Sequence, residues 1–557
     1  MSETRKKLER VGCRWALAAA LSLAATFSSA QQPAPTKLPQ PAAQSQAPES
    51  NQAKPGARLS PEQQRQLFSL VDQIIQFSSD ETGLAVRSQV KRQIVSRAAV
   101  ESYLKQKMEE DQTARRMKRD EIVLKKFGLL DRDFALRPFL LSLLDEQIEA
   151  YYDFKTKTVC LLDWMSPEEQ KPVLAHELTH ALQDQHSDLE KWTDQTPEDV
   201  SLNSDADTDH LARDEMDTAR LAVVEGQATA VMMDYILKPL GKSLVKDPEV
   251  IDMVKQQMAA SADSPVLARA PLLLSESLLF PYSEGLSFEQ DVWMDQGQAA
   301  AFAGTLDRPP SSSWEIINPR EYEKRHVPAV PLLPNIHPLV DTLYKPYDIG
   351  QVGQLDVHIL TELFGGEQAA GDLTPAWDGG LYWAGQRLSA KTATEQASTN
   401  SIALFYLSVW KNSASAISFA RIYADELGRK YSGVKLDSTD ERAAPAGPTA
   451  GFKVFPPPNS SDQEQVYTTS EGPVVITTRG KMVFVAESFP LDLSRKLTAL
   501  ILDAQGTGEL KMAETIQPVV PALDSLPRSS LTGNLVHFIS SCGVMKAAVS
   551  AAMKASR

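Results

Sequence analysis

The segment His176-Glu177-Leu178-Thr179-His180 sets two histidines four residues apart, with a glutamate beside the first. On a helix, residues four apart share a face, so both imidazoles can reach one metal ion. Zinc suits imidazole ligands and lowers the pKa of a coordinated water to about 7, which makes a nucleophile at neutral pH. Glu177 lies one residue round from His176, where it can take a proton from that water instead of binding the metal. With 8 histidines in 557 residues, chance supplies this pattern only about 0.015 times. A solvated helix with two polar residues is the competing explanation. The apolar lead-in Val173-Leu174-Ala175 argues for burial.

Catalytic zinc takes three protein ligands and keeps one position open, so a third ligand is required. Two residues compete. His186 follows His180 at the metzincin spacing, but that pattern wants glycine three residues after the second histidine, and Gln183 stands there. In a helix that simply continues, His186 lies about 240° round from His180 and points away from the ion. The other candidate is Glu225, within Leu221-Ala222-Val223-Val224-Glu225-Gly226-Gln227-Ala228-Thr229. A carboxylate in an apolar helix is costly unless paired or metal-bound. A structural glutamate bonded to backbone or to an arginine stays open as an explanation. Helix geometry favours Glu225 over His186. The small residues Ala222, Gly226, Ala228 and Thr229 let this helix pack closely on another.

The stretch His176–Ala181 resembles the zinc helix of thermolysin-like gluzincins, and Asp184 falls where those enzymes carry an aspartate. Their third ligand is a glutamate on a following helix, which Glu225 would match. The chain departs in one respect: 44 residues separate His180 from Glu225, more than in thermolysin, and an acidic stretch fills the gap. The run Ala150–His186, with Val224-Glu225-Gly226-x-Ala-Thr and Arg308-Pro309-Pro310…Asn318-Pro319, resembles a family of uncharacterised exported bacterial proteins with a gluzincin-type site. That resemblance covers about residues 60–345. It implies a zincin-like metallopeptidase fold, with Zn2+ held by His176, His180 and Glu225 and with Glu177 as general base in peptide hydrolysis.

An extended peptide substrate could add as a strand to the hairpin that precedes the motif. Tyr151, Tyr152, His210 and Tyr235 are candidates for the oxyanion donor, and none is assigned. Asp205-x-Asp207-x-Asp209 resembles the start of a calcium loop, but His210 and Met216 replace its glycine and its final glutamate. A solvated acidic loop is therefore expected. The rival to a peptidase is a degenerate relative that keeps a vestigial zinc site and works as an envelope binding or assembly protein.

The motif needs a buried helix, and Ser166-Pro167-Glu168-Glu169 supplies its capping box. Pro172 predicts a kink or restart within it. The apolar runs between 150 and 162 predict a β-hairpin. Ser60-Pro61-Glu62-Gln63 opens a first helix, and helical patterns continue over 90–126 and 134–149. Residues 188–217, with eleven acids and two bases, read mostly as loop, and a second strong helix runs from about Ala212 to Leu237. Eight prolines between Pro309 and Pro346 predict an extended connector. Strands are expected at 403–410, 465–469, 473–478 and 482–487, helices near 413–430 and 490–504, a hairpin turn at Thr478-Arg479-Gly480-Lys481 and another turn at Trp377-Asp378-Gly379-Gly380. The expected class is α+β. A mainly helical zincin-like domain with a small edge hairpin (59–306) is followed by a Pro-rich connector (307–347), an α+β domain (348–505) and a tail (506–557).

Arg5, Lys6, Lys7, Arg10 and Arg14, then the apolar run Trp15–Phe27 and the small residues Ser28 and Ala30, follow the plan of a secretory signal peptide ending at residue 30. Residues 31–58, rich in Pro, Gln, Ala and Ser, read as a disordered leader. Export, to periplasm or medium, would leave Cys160 and Cys542, which could pair. No apolar run reaches the length of a membrane span. A net charge of −15 argues against a nucleic-acid or anionic-membrane partner.

Overall fold

The computed structural model describes residues 59–110, 112–192, 203–260, 264–326, 329–437, 462–506, 510–511, 531–540 and 543–555, and the chain is α+β, with a helical region and a separate antiparallel sheet in the C-terminal part. The expected signal peptide and leader, and Cys542, lie outside the described residues.

A small sheet sits on the helical region. Its hairpin is β2 (Ile148–Asp153) and β3 (Thr158–Leu162), close to the expected 150–162. Asp153 shapes the turn by accepting from the backbone N–H of Lys155 at 2.9 Å and of Thr156 at 3.3 Å. Lys91–Val95, read from the sequence as helical, is instead the strand β1, parallel to β3. Exposure alternates from Lys91 to Ile94, the period of a strand, and Val95 at its end is buried. The hairpin edge, expected to be open, is taken in part: Ile148 and Ala150 of β2 pair antiparallel with a strand at Val544–Met545 from the far end of the chain.

The second sheet is antiparallel throughout. After the short β4 (Ala329–Val330) come β5 (Tyr344–Gln351), β6 (Trp377–Arg387), β7 (Ile402–Trp410), β8 (Lys435–Asp437), β9 (Asp462–Thr469), β10 (Gly472–Arg479) and β11 (Met482–Glu487). Their spatial order is β5-β6-β7-β11-β10-β9-β8. β12 (Leu510–Lys511) pairs with β4, and Val544–Met545 is β13. Alternation sends Leu404, Tyr406, Ile476 and Val485 to one face and Phe405, Leu407, Val475 and Phe484 to the other. The helix Ser413–Lys430 covers the first face and Leu491–Ala504 the second. The first face shares one continuous buried cluster with the helical region. Charge ties the two as well. Lys126 donates to Glu471 at 2.8 Å and to Ser488 at 2.6 Å, and burial, opposed by Glu471 and Glu487, brings its amine down to about 8.

Further segments differ from the sequence expectation. Trp377-Asp378-Gly379-Gly380 is not a turn; it begins β6 through a bulge, where Gly379 adopts φ +143°. Residues Ser204–Arg213, read as acidic loop, form a helix capped by the Asn203 side chain, which accepts from Asp205 and Ala206 at 3.1 and 3.0 Å. Residues 531–555, read as tail, hold the helices Gly533–Ser540 and Lys546–Ala555 around β13. Their alanines and Leu535, Val536, Phe538 and Ile539 are buried. The Pro-rich connector carries short helices at Ser313–Ile317, Pro319–Glu323 and His337–Val340, the second with proline at its first position.

Candidate metal centre

The motif helix spans Pro167–Ser187 and passes Pro172 without interruption. Its capping box forms as expected, with Glu169 accepting from the Ser166 N–H at 2.9 Å and Ser166 accepting from the Glu169 N–H at 3.4 Å. Pro172 is the sixth residue of the helix, so it has no N–H to offer the Glu168 carbonyl, and the helix nonetheless runs on through it. The helix is buried from Val173 to Asp184, packed between the helix Pro61–Thr82 and the helix Met216–Leu237.

Met216–Leu237, the glutamate helix, carries Glu225 and crosses the long helix Leu272–Gln296 at near backbone contact. A Cβ on Gly226 would lie 2.3 Å from the Gly285 carbonyl, and one on Gly285 would lie 2.1 Å from the Ala222 oxygen. Only glycine fits at both positions, so this crossing fixes the height at which Glu225 meets the motif helix.

Three ligand atoms converge there. His176 Nε2 lies 3.1 Å from Glu225 Oε2 and 3.0 Å from His180 Nε2, and His180 Nε2 is 3.6 Å from Glu225 Oε2. Ligands at about 2.0–2.1 Å from a tetrahedral zinc stand about 3.3 Å from one another. The observed separations of 3.0, 3.1 and 3.6 Å bracket that edge. Among the described residues this is the group of His, Cys, Asp and Glu side chains placed to hold one ion.

Gln183 sets the state of His180. Its amide nitrogen donates to Val224 O at 3.0 Å and to Gln227 Oε1 at 2.8 Å, so its oxygen, 2.9 Å from His180 Nδ1, must accept. The proton therefore sits on Nδ1, and Nε2 of the neutral ring is a bare acceptor facing the cluster. Gln227 in turn donates to the carbonyls of Ala301 and Phe302 and to Thr305. This is the outer support that orients metal-binding imidazoles. His176 stacks on Tyr282, with ring centroids 6.1 Å apart and planes at 22°.

The cluster gathers acceptors and so needs a positive charge. Without a metal, a proton supplies it. Burial works against the charged ring of His180, but the Glu225 carboxylate and its hydrogen bond, with help from Glu177, raise it to about 9. Burial, with the neighbouring His180 charge, brings His176 down to about 4 against the pull of Glu225. Burial also opposes the Glu225 carboxylate, yet His180 and the hydrogen bonds from both rings hold it well below the usual carboxylate range. A divalent cation would satisfy all three groups at once.

Glu177 is fully buried on the motif helix next to His176, and its charge acts on His180 and on Cys160 of β3. Asp184 accepts from Tyr152 at 2.9 Å, from Lys157 at 2.7 and 2.9 Å, and from the Leu189 N–H at 3.1 Å, joining the motif helix to the hairpin. His186 goes elsewhere: the helix continues to Ser187 and His186 meets Asp307 at 2.9 Å. Gln183, where a turn-forming glycine would be needed, keeps the helix going.

Each of the four oxyanion candidates has a partner outside the cluster. Tyr152 is held by Asp184, and Tyr151 stacks on Tyr103 at 4.4 Å. Tyr235 packs edge-on against Phe77 at 5.1 Å, and His210 lies 3.3 Å from Asp214. Asp207 and Asp209 belong to a helix, where Asp207 faces His337 at 3.2 Å and Asp209 faces Arg213 at 3.2 Å, so no calcium loop forms. Cys160 is buried and has no disulfide partner among the described residues, and burial pushes its thiol up to about 11. Sequence reasoning missed Gln183 as the orienting group, Gln227 behind it and Tyr282 against His176. For Gln183 a signal existed, since i and i+3 neighbours meet on a helix; for Tyr282 there was none.

No helix among the described residues is long and apolar enough to cross a membrane. No family model, curated protein or solved structure matches the chain.

Proposed function

We propose that the chain is an exported zinc metallopeptidase of gluzincin type. The observation that carries this reading is the convergence of His176 Nε2, His180 Nε2 and Glu225 Oε2 within zinc-ligand spacing, with Glu177 buried alongside. Zinc held by these three side chains supplies a Lewis acid that lowers the pKa of a water to about 7 and polarises a peptide carbonyl. Glu177 accepts the proton of the attacking water as the new carbon–oxygen bond forms, and returns it to the departing amine as the carbon–nitrogen bond breaks. Gln183 keeps His180 in the ligating tautomer throughout. The substrate is a peptide or protein, and the acidic chain fits neither nucleic acid nor an anionic membrane. Export rests on the signal-peptide pattern of residues 1–30.

One observation favours the rival binding or assembly protein: the cluster is almost closed to solvent, with His176 at 0% and Glu225 at 3% exposure. Two measurements decide. Elemental analysis of chain purified without a metal-binding tag is expected to give close to one zinc per chain, and no zinc after dialysis against added metal would end the peptidase reading. Glu177→Gln is expected to keep the zinc and abolish peptide hydrolysis. Hydrolysis that survives this change would remove Glu177 as the base.

A further inference from the structure

β2 packs on the motif helix, and it pairs with β3 at Tyr151–Asp153 and with β13 at Ile148 and Ala150. β13 is brought from hundreds of residues away, and it also packs against the motif helix itself. Its approach is intimate. Gly543 adopts φ +122°, and a Cβ there would lie 2.2 Å from Ala150 O and 2.7 Å from Tyr151 Cβ. Tyr282, whose ring stacks on His176, donates its hydroxyl to Gly543 O at 3.3 Å. A single tyrosine therefore connects the incoming strand to a ligand of the candidate centre.

The segment is tethered on both sides of β13. Upstream, Thr532 donates to the buried Asp356 through its hydroxyl at 2.6 Å and its N–H at 3.1 Å, and the helix Gly533–Ser540 lies on the glutamate helix. Downstream, Gln147 accepts from the Ala547 N–H at 3.1 Å, and the helix Lys546–Ala555 packs on Val250–Ala260. The strand itself is only two residues long and its register is broken between Val544 and Met545. Two residues of pairing are a weak grip, so most of the hold comes from the flanking helices.

An extended peptide binds an exposed sheet edge by main-chain hydrogen bonds, antiparallel or parallel to the edge strand. We propose that β13 is a built-in competitor for that binding: residues 543–545 occupy the β2 edge where a substrate strand pairs, and the C-terminal segment holds the site shut. This rests on the peptidase reading for its consequence, latency, but not for the competition at the edge. It accounts for a cluster that is ligand-like in geometry and yet nearly sealed. Activation then consists of displacing residues 543–545, and the tether makes the competitor effective at high local concentration without making it permanent.

The test uses the full-length, zinc-loaded chain. Ala150 and Val544 are register partners, so Ala150→Cys with Val544→Cys, in a Cys542→Ser background, can lock the strand in place by oxidation. Gly543→Leu does the opposite, because its side chain has no room beside Ala150. Hydrolysis of fluorescein-labelled casein is one readout; binding of the same casein to Glu177→Gln versions, by anisotropy, is the other. The Gly543→Leu chain is expected to hydrolyse casein roughly tenfold faster than the parent. The oxidised lock is expected neither to cleave nor to bind casein, and a phosphine reductant restores both. An oxidised lock that binds or cleaves casein as well as its reduced form overturns the proposal, and the lock carries the test if Gly543→Leu does not fold. Should no form cleave casein although zinc is bound, the peptidase reading fails by itself. Binding then decides the competition: lock-sensitive binding upholds it, and absent or lock-insensitive binding overturns it.

Discussion

The Gln183 side-chain oxygen stands 2.9 Å from His180 Nδ1, one helical turn along, while its nitrogen is engaged by Val224 O at 3.0 Å and Gln227 Oε1 at 2.8 Å. Because those two acceptors leave the amide no freedom to flip, the ring of His180 has no choice of tautomer. The residue that blocks a metzincin-type turn is thus the residue that prepares the second histidine for a metal.

Gln183→Leu should therefore weaken zinc binding about 10–100-fold, the usual cost of removing an outer partner of a ligating histidine. Competition with a chromogenic chelator measures it. An unchanged affinity would mean that His180 is oriented by packing alone.

Glu225→Ala and His186→Ala separate the two candidate third ligands. Glu225→Ala is expected to lower the zinc content well below one per chain, whereas His186→Ala, which loses only the Asp307 contact at 2.9 Å, should retain it. The reverse result in elemental analysis would return the site to a metzincin arrangement.

Gly226→Ala places a methyl 2.3 Å from Gly285 backbone atoms. The helices must separate, at a cost of about 1–3 kcal/mol or more, and Glu225 moves with its helix, so zinc affinity falls together with the urea midpoint. Gly371→Ala is the control. It lies in the helix Glu367–Leu373 with nothing within 4 Å of the added carbon, and should gain about 0.5–1 kcal/mol from helix propensity.

Glu289 is fully buried, and burial pushes its carboxyl well above the ordinary value of 4.5 despite hydrogen bonds with Thr305 and Gln227. A raised folded value means that its contribution is complete below pH 4.5 and is lost as pH climbs towards the folded value, at up to about 1.4 kcal/mol per pH unit. Glu289→Gln keeps the shape of the protonated acid and cannot ionise. Urea unfolding should find it close to the parent at pH about 5 and more stable than the parent at pH about 8. A constant difference across that range would show that the Glu289 carboxyl is not raised in the fold above its unfolded value.

Local rules made much of the candidate site readable in advance. The capping box at Ser166 and Glu169, the shared face of His176 and His180, and the β2–β3 hairpin all depend on neighbours within a few residues, where backbone geometry permits few outcomes. The same holds for β7, β10 and β11, whose alternation is a strand's own period. Local rules misled where an alternative local structure was equally open. Asn203 could cap a helix or begin a loop, and Trp377–Gly380 has turn composition but pairs as a bulged strand because Val409 lies opposite Gly379.

Contacts between distant parts of the chain were decided by packing. By itself the sequence determined a helix that presents two imidazoles on one face, a glutamate beside them, and a short list of third ligands. Only the tertiary structure brought Glu225 to the two imidazoles, because its distance from His180 depends on how closely two helices cross, and that is set by Gly226 meeting Gly285. It also decided that Ile148 and Ala150 of β2 pair with a strand from the far end of the chain. Nothing near Ile148–Asp153 foretells pairing with Val544–Met545, since a strand edge offers the same unpaired backbone groups to any segment that the rest of the fold brings within reach.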